Sequence, residues 1–281
     1  MKKQIKILVP IDFSNCSNNA LAYGLRLADK LEATVEILHV VTPDAVPLDY
    51  PSFVAINTDE KIKLSRQLLN KSIKRARKNV SVLLEKFPDV QTDIEIGIPD
   101  TKIVEIAQRD DVDFIMMGTQ GKNNRWDRLL GSTAADVLKY ATCPVFVIPE
   151  HAKFREKMMI GYATDFKDAD PFEIWKASKI LKAVQSEIIV VHLNDKQQNM
   201  KEKIEEMNEF FQEQTTNLNI RFYSIFCKNM VKDLNDFIDL HNINMLVMYK
   251  PKRSFAERLF FKSFTKQMTL NAKIPLLILK E

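Results

Sequence analysis

The chain has 281 residues, too many for one average domain and enough for two of about 140, and its 46% apolar and 28% charged content is that of a folded globular protein. Its formal net charge of +4 is too small for a nucleic-acid binder, which gathers basic residues on one face among aromatic ones. No apolar run approaches the ~20 residues of a membrane span, and the run after Met1-Lys2-Lys3 contains Pro10 and stops at Asp12, so a first strand of a cytoplasmic protein is expected there rather than a signal peptide.

Short runs rich in Val, Ile and Leu fall at 5–11, 34–41, 92–97, 114–117 and 144–148, each followed by a helical pattern. That alternation predicts a parallel sheet with crossover helices. The first crossover carries Ser14 as a candidate N-cap and places Leu21, Leu25, Ala28 and Leu31 on one helix face. The second, near 59–86, presents Ile62, Leu69, Ile73, Ala76, Val80 and Leu83. Both stripes read as core. Cys16, Cys143 and Cys227 are far apart with no CxxC spacing, which supports neither a disulfide framework nor a metal site.

The chain contains only 6 glycines, where about 20 are expected at average usage. Gly118, Gly121 and Gly131 sit together, after the fourth strand and before the last helix of the first half. Open parallel sheets bind ligands at the carboxyl ends of their strands, beside the point where strand order reverses. In that setting Gly118 and Gly121 let backbone N–H groups approach a ligand. Gly131-Ser132-Thr133 then opens a helix, Ala134–Tyr140, whose first amides and positive dipole end suit a phosphate. The same glycines also suit tight turns. Asp12, at the end of the first strand, faces the same crevice and could accept hydrogen bonds from a ribose or an adenine edge; an Asp there is also a common helix cap. Neither GxxxxGK[ST] nor GxGxxG is present, so P-loop and dinucleotide-binding readings fail.

These residues resemble the universal stress protein family, whose signature is Gly, two residues, Gly, nine residues, Gly, then Ser or Thr. It stands here as Gly118-Thr119-Gln120-Gly121, nine residues, Gly131-Ser132. The resemblance extends to Ile7-Leu8-Val9-Pro10-Ile11-Asp12-Phe13-Ser14, His39-Val40, Gly97-Ile98-Pro99 and Cys143-Pro144-Val145. It implies Rossmann-like α/β domains with open five-stranded parallel sheets of order 3-2-1-4-5 and helices on both faces. It also implies ATP or a related adenine nucleotide as ligand, with room for a Mg2+ companion. By position, Asp12 and the Val40 backbone are expected on ribose and adenine, and Gly118, Gly121, Gly131, Ser132 and Thr133 on the phosphates. Pro10, Ile11 and Met117 complete the set.

The second half repeats the first. Ile243–Glu281 lies on Val112–Glu150 without a gap, Asp165-Phe166 matches Asp12-Phe13, and His192 matches His39. The expected domains are therefore 1–150, with an intact nucleotide loop, and 151–281, in which Gly118, Gly121 and Gly131 have become Tyr249, Lys252 and Lys262 and only Ser263 is kept. Lys250, Lys252, Arg253, Arg258 and Lys262 form a basic cluster there that reads as solvated surface, with attraction of an anion as the alternative. The expected function is a nucleotide-binding stress regulator with one site per chain, no catalytic residue and at most slow ATP hydrolysis. The rival is a protein-interaction module on the same tandem fold; an adenylating enzyme lacks its SGGxDS or HIGH motif. The apolar last strands are expected to pair the halves as an internal pseudo-dimer, with further homo-oligomers open.

Overall fold

The computed structural model describes residues 4–43, 51–80, 83–109, 111–119, 131–164, 170–181, 184, 187–194, 199–214, 219–250, 267–268 and 273–280. The chain divides into two compact units, Met1–Lys153 and Phe154–Glu281.

In the first unit the elements are β1 (Lys6–Pro10), α1 (Asn15–Leu31), β2 (Thr34–Val41), α2 (Pro51–Val80), β3 (Val90–Ile96), α3 (Pro99–Arg109), β4 (Phe114–Gly118), α4 (Ser132–Tyr140) and β5 (Val145–Ile148). The strands are parallel and ordered β3-β2-β1-β4-β5, the expected 3-2-1-4-5 arrangement. Ile7, Leu8 and Val9 of β1 and all four residues of β5 are fully buried. Strands covered by helices on both faces must be apolar throughout, which is why they read as unbroken runs. β3 lies at the edge, and Gln91 and Thr92 on it are exposed. Its polar residues weaken the signal, and the strand occupies Val90–Ile96 rather than 92–97.

Ser14 caps α1: its hydroxyl oxygen accepts the Ser17 N–H at 3.1 Å. The helix ends at Glu32, whose N–H reaches the carbonyls of Ala28 and Asp29 and whose left-handed backbone turns the following Ala33 N–H onto Ala28 O at 2.9 Å. Between the caps, Ala20, Leu21, Leu25, Leu27 and Ala28 are buried against the sheet. α2 runs from Pro51 to Val80 instead of 59–86, because proline is compatible with a first helical turn. Leu69, Ala76 and Val80 are core as expected, but Leu83 lies past the helix and is 49% exposed.

The second unit contains β6 (Met159–Thr164), α5 (Asp170–Leu181), β7 (Glu187–Asn194), α6 (Lys201–Gln214), β8 (Ile220–Phe226), α7 (Met230–Leu240), β9 (Met245–Lys250) and β10 (Leu276–Lys280). Its strands are parallel, with order β8-β7-β6-β9-β10. One fixed offset places Met230–Leu240 on Pro99–Arg109, Met245 on Phe114 and Leu276 on Val145. Register agrees as well: Ile7 pairs with Phe114 in the first unit and Ile160 with Met245 in the second. Among the described residues no helix is long and apolar enough to cross a membrane.

Candidate functional site

The carboxyl ends of β1, β2 and β4 part where strand order reverses, and β1 is built to stop there. The β1–β4 ladder ends at Leu8↔Ile115. Ile11 N–H donates to Leu38 O at 2.8 Å, so Ile11 presents its backbone to β2 and Pro10 presents its own to β4. Proline has no N–H to give on that side, so the ladder cannot continue. In the second unit Ala163 occupies the matching place, and the β6–β9 ladder runs on to Ala163↔Met248.

After β1 the chain turns sharply through Phe13, a non-glycine residue in the left-handed region at φ 66°. The turn is held by side chains. Asp12 Oδ1 accepts from the Ser14 N–H at 3.1 Å and from the Ser14 hydroxyl at 2.6 Å, while Asp12 N–H donates to Ser17 Oγ at 3.4 Å. The cap of α1 is thus Ser14, and Asp12 braces that cap. Ser14→Ala is expected to cost about 1 kcal/mol and to loosen Asp12, measurable as a lower unfolding midpoint together with weaker ligand binding.

α4 begins differently. Its N-cap is Gly131, which offers no side-chain acceptor, and Ala135 is the first residue to donate back into the helix, to Gly131 O at 3.0 Å. The amides of Ser132, Thr133 and Ala134 therefore precede the helical hydrogen-bond pattern. Lys139 in the last turn complements the opposite end of the dipole. Gly131 N–H donates to Thr119 O at 2.9 Å and ties the helix entry to the end of β4.

These elements enclose a cavity of about 370 Å3, within the usual range for small-molecule sites. Nine of the sequence-assigned residues meet around it: Pro10, Ile11 and Asp12 from β1 and its turn, Val40 from β2, Met117 and Gly118 from β4, and Gly131, Ser132 and Thr133 at α4. Gly121 lies outside the described residues, as do Asp165, Lys252, Arg253, Arg258, Lys262, Ser263 and the side chain of Lys250. Tyr249, which stands where the first unit has Gly118, is buried.

Gly118 lines the cavity and also meets a packing constraint that its sequence context does not suggest. A Cβ there would stand 2.8 Å from Cys16 Sγ, 3.0 Å from the Cys16 carbonyl carbon and 3.1 Å from the Ser17 nitrogen. Its bare backbone lets β4 meet the first turn of α1. Sequence reasoning also missed Ser17, Pro99 and Ile103, which line the cavity. Pro99 opens α3, and Ile103 follows one turn later on the same face. Periodicity could have found that pair.

A tandem of open parallel sheets in 3-2-1-4-5 order, with a cavity at the strand-order reversal of the first, defines a Rossmann-like α/β protein. Residues 5–149 match the universal stress protein family, and the chain belongs to it. A universal stress protein of Methanocaldococcus jannaschii is 33% identical over 149 residues, covering 53% of this chain and 84% of the relative. A second from the same archaeon is 31% identical, covering 51% and 93%. A crystal structure of a universal stress protein from Archaeoglobus fulgidus covers 98% of both chains with a TM-score of 0.73 at 17% identity, which establishes likeness of fold.

Proposed function

We propose that the first unit binds one adenine nucleotide, ATP or a close relative, and that the chain acts as a nucleotide-responsive regulator in stress survival. The observation that carries this reading is the convergence of the α4 amides of Ser132, Thr133 and Ala134 on the same cavity as Val40 and Asp12. Uncapped helix N-terminal amides suit phosphate. Ser132, exposed, and Thr133, half-buried, add hydroxyl donors beside them. Val40 brings a strand end suited to a base, and Asp12 a carboxylate suited to a ribose hydroxyl. Among the described residues no group of three acidic, histidine or cysteine side chains could hold a metal ion.

The second unit has the same strand order but, in sequence, Tyr249, Lys252 and Lys262 in place of the three loop glycines, so one site per chain is expected. Calorimetric titration of the full chain with ATP should give a stoichiometry near one. Chromatography of the ligand released on denaturation should identify an adenine nucleotide. A stoichiometry near two would make the second unit competent, and absence of binding would overturn the nucleotide reading.

A further inference from the structure

The β1–β2 ladder stops at Pro10↔Leu38, although both chains continue side by side beyond it. Ile11 N–H donates to Leu38 O at 2.8 Å, and Gly97 N–H donates to Val41 O at 3.0 Å. Backbone groups alternate sides along a strand, so Leu38 and Val40 present theirs to β1, and His39 and Val41 present theirs to β3. The next bond of the ladder would run from the Val40 N–H to Ile11 O. That carbonyl instead accepts the Nδ1–H of the His39 imidazole at 2.7 Å. The ring is steadied by Phe13, whose centroid lies 4.4 Å away, and both Ile11 and His39 line the cavity.

The second unit supplies an internal comparison. His192 stands where the first unit has His39, but its Nδ1 meets Ser224 Oγ on β8 at 3.2 Å and its side chain is buried. There the β6–β7 ladder continues to Thr164↔His192, the pair that matches Ile11↔His39. The same residue on the same kind of strand goes with a shorter ladder where it takes the β1-side carbonyl and with a longer one where it turns to the other neighbour.

We propose that His39 is a positioning residue that ends the β1–β2 ladder by occupying Ile11 O, and so keeps the Val40 amide and carbonyl turned to the cavity for the edge of a base. Pro10 ends the ladder on the β4 side, and His39 ends it on the β2 side. Only the binding half of the proposal rests on the nucleotide reading of this cavity.

The test uses the full chain with His39→Leu, which removes the donor, and His39→Asn, whose Nδ2 can stand where Nδ1 stands. Exchange of the Val40 amide is followed by NMR without nucleotide, ATP affinity by calorimetry, and folding by the unfolding midpoint. In His39→Leu the Val40 amide should exchange more slowly, ATP should bind about fivefold more weakly, as one lost hydrogen bond predicts, and the midpoint should not fall. His39→Asn should restore both exchange and affinity. A Val40 amide already protected in the wild type, or unaltered by His39→Leu, overturns the proposal. Slower exchange with unchanged affinity overturns the link to the base. If the wild type binds no adenine nucleotide, the nucleotide reading of the cavity fails, while the exchange result still decides whether His39 ends the ladder.

Discussion

Gly118→Ala is expected to destabilise the first unit by about 2 kcal/mol, as overpacking of a close-packed interior does, which lowers the unfolding midpoint by roughly 4–8 °C for a unit of this size. The added Cβ would meet Cys16 Sγ at 2.8 Å and two backbone atoms of Cys16 and Ser17 at 3.0 and 3.1 Å. Cys16 cannot swing aside cheaply, because its thiol is buried, lies 3.5 Å from Thr119 Oγ1 and donates to Ile148 O at 3.3 Å. The first turn of α1 must therefore move away from β4. That turn carries Ser14 and Ser17, which hold Asp12, so binding should weaken along with stability. Adding Cys16→Ala should recover only part of the loss, since the backbone contacts remain. An unchanged midpoint in Gly118→Ala would show that the close approach is not a constraint.

This glycine marks the limit of what could be read from the sequence. The central strands were legible because covered parallel strands are apolar throughout, and Ile7–Val9 and Val145–Ile148 leave no other choice. The edge strand and the start of α2 were less so: Gln91 and Thr92 face solvent, and Pro51 resembles a break although it opens a helix. At the site, the glycine spacing and the family resemblance together indicated which residues would gather but not why each has its identity. Gly118 lines the cavity and also lets β4 pack closely against α1. Pro10 and His39 act through the side to which their neighbours' backbone groups point, and sidedness depends on register, which emerges only once β1, β2 and β4 are paired. Ser17, Pro99 and Ile103 come from helices whose faces the strand pattern does not fix.

Gly131→Lys is the substitution that most directly tests the phosphate end of the cavity, and it is expected to weaken ATP binding at least tenfold, about 1.4 kcal/mol. Gly131 has φ −57° and ψ 146°, a conformation open to any residue, and its N–H bond to Thr119 O does not depend on its side chain. The fold should therefore hold, with an unfolding midpoint close to that of the wild type. Two effects on binding oppose each other. A lysine side chain at the N-cap fills the space before the amides of Ser132, Thr133 and Ala134, where each charge-assisted bond to phosphate contributes about 1.5–3 kcal/mol. Its ammonium also attracts phosphate, but a solvated charge of this kind contributes about 1 kcal/mol or less. Loss of more than one amide contact outweighs that gain. Gly131→Ser separates capping from charge: its hydroxyl can accept an amide of the first turn, raising helix stability by about a few tenths of a kcal/mol while competing with phosphate. Binding should weaken in both variants while stability holds or rises. Unchanged affinity in a folded Gly131→Lys protein would mean that the entry of α4 is not where phosphate binds.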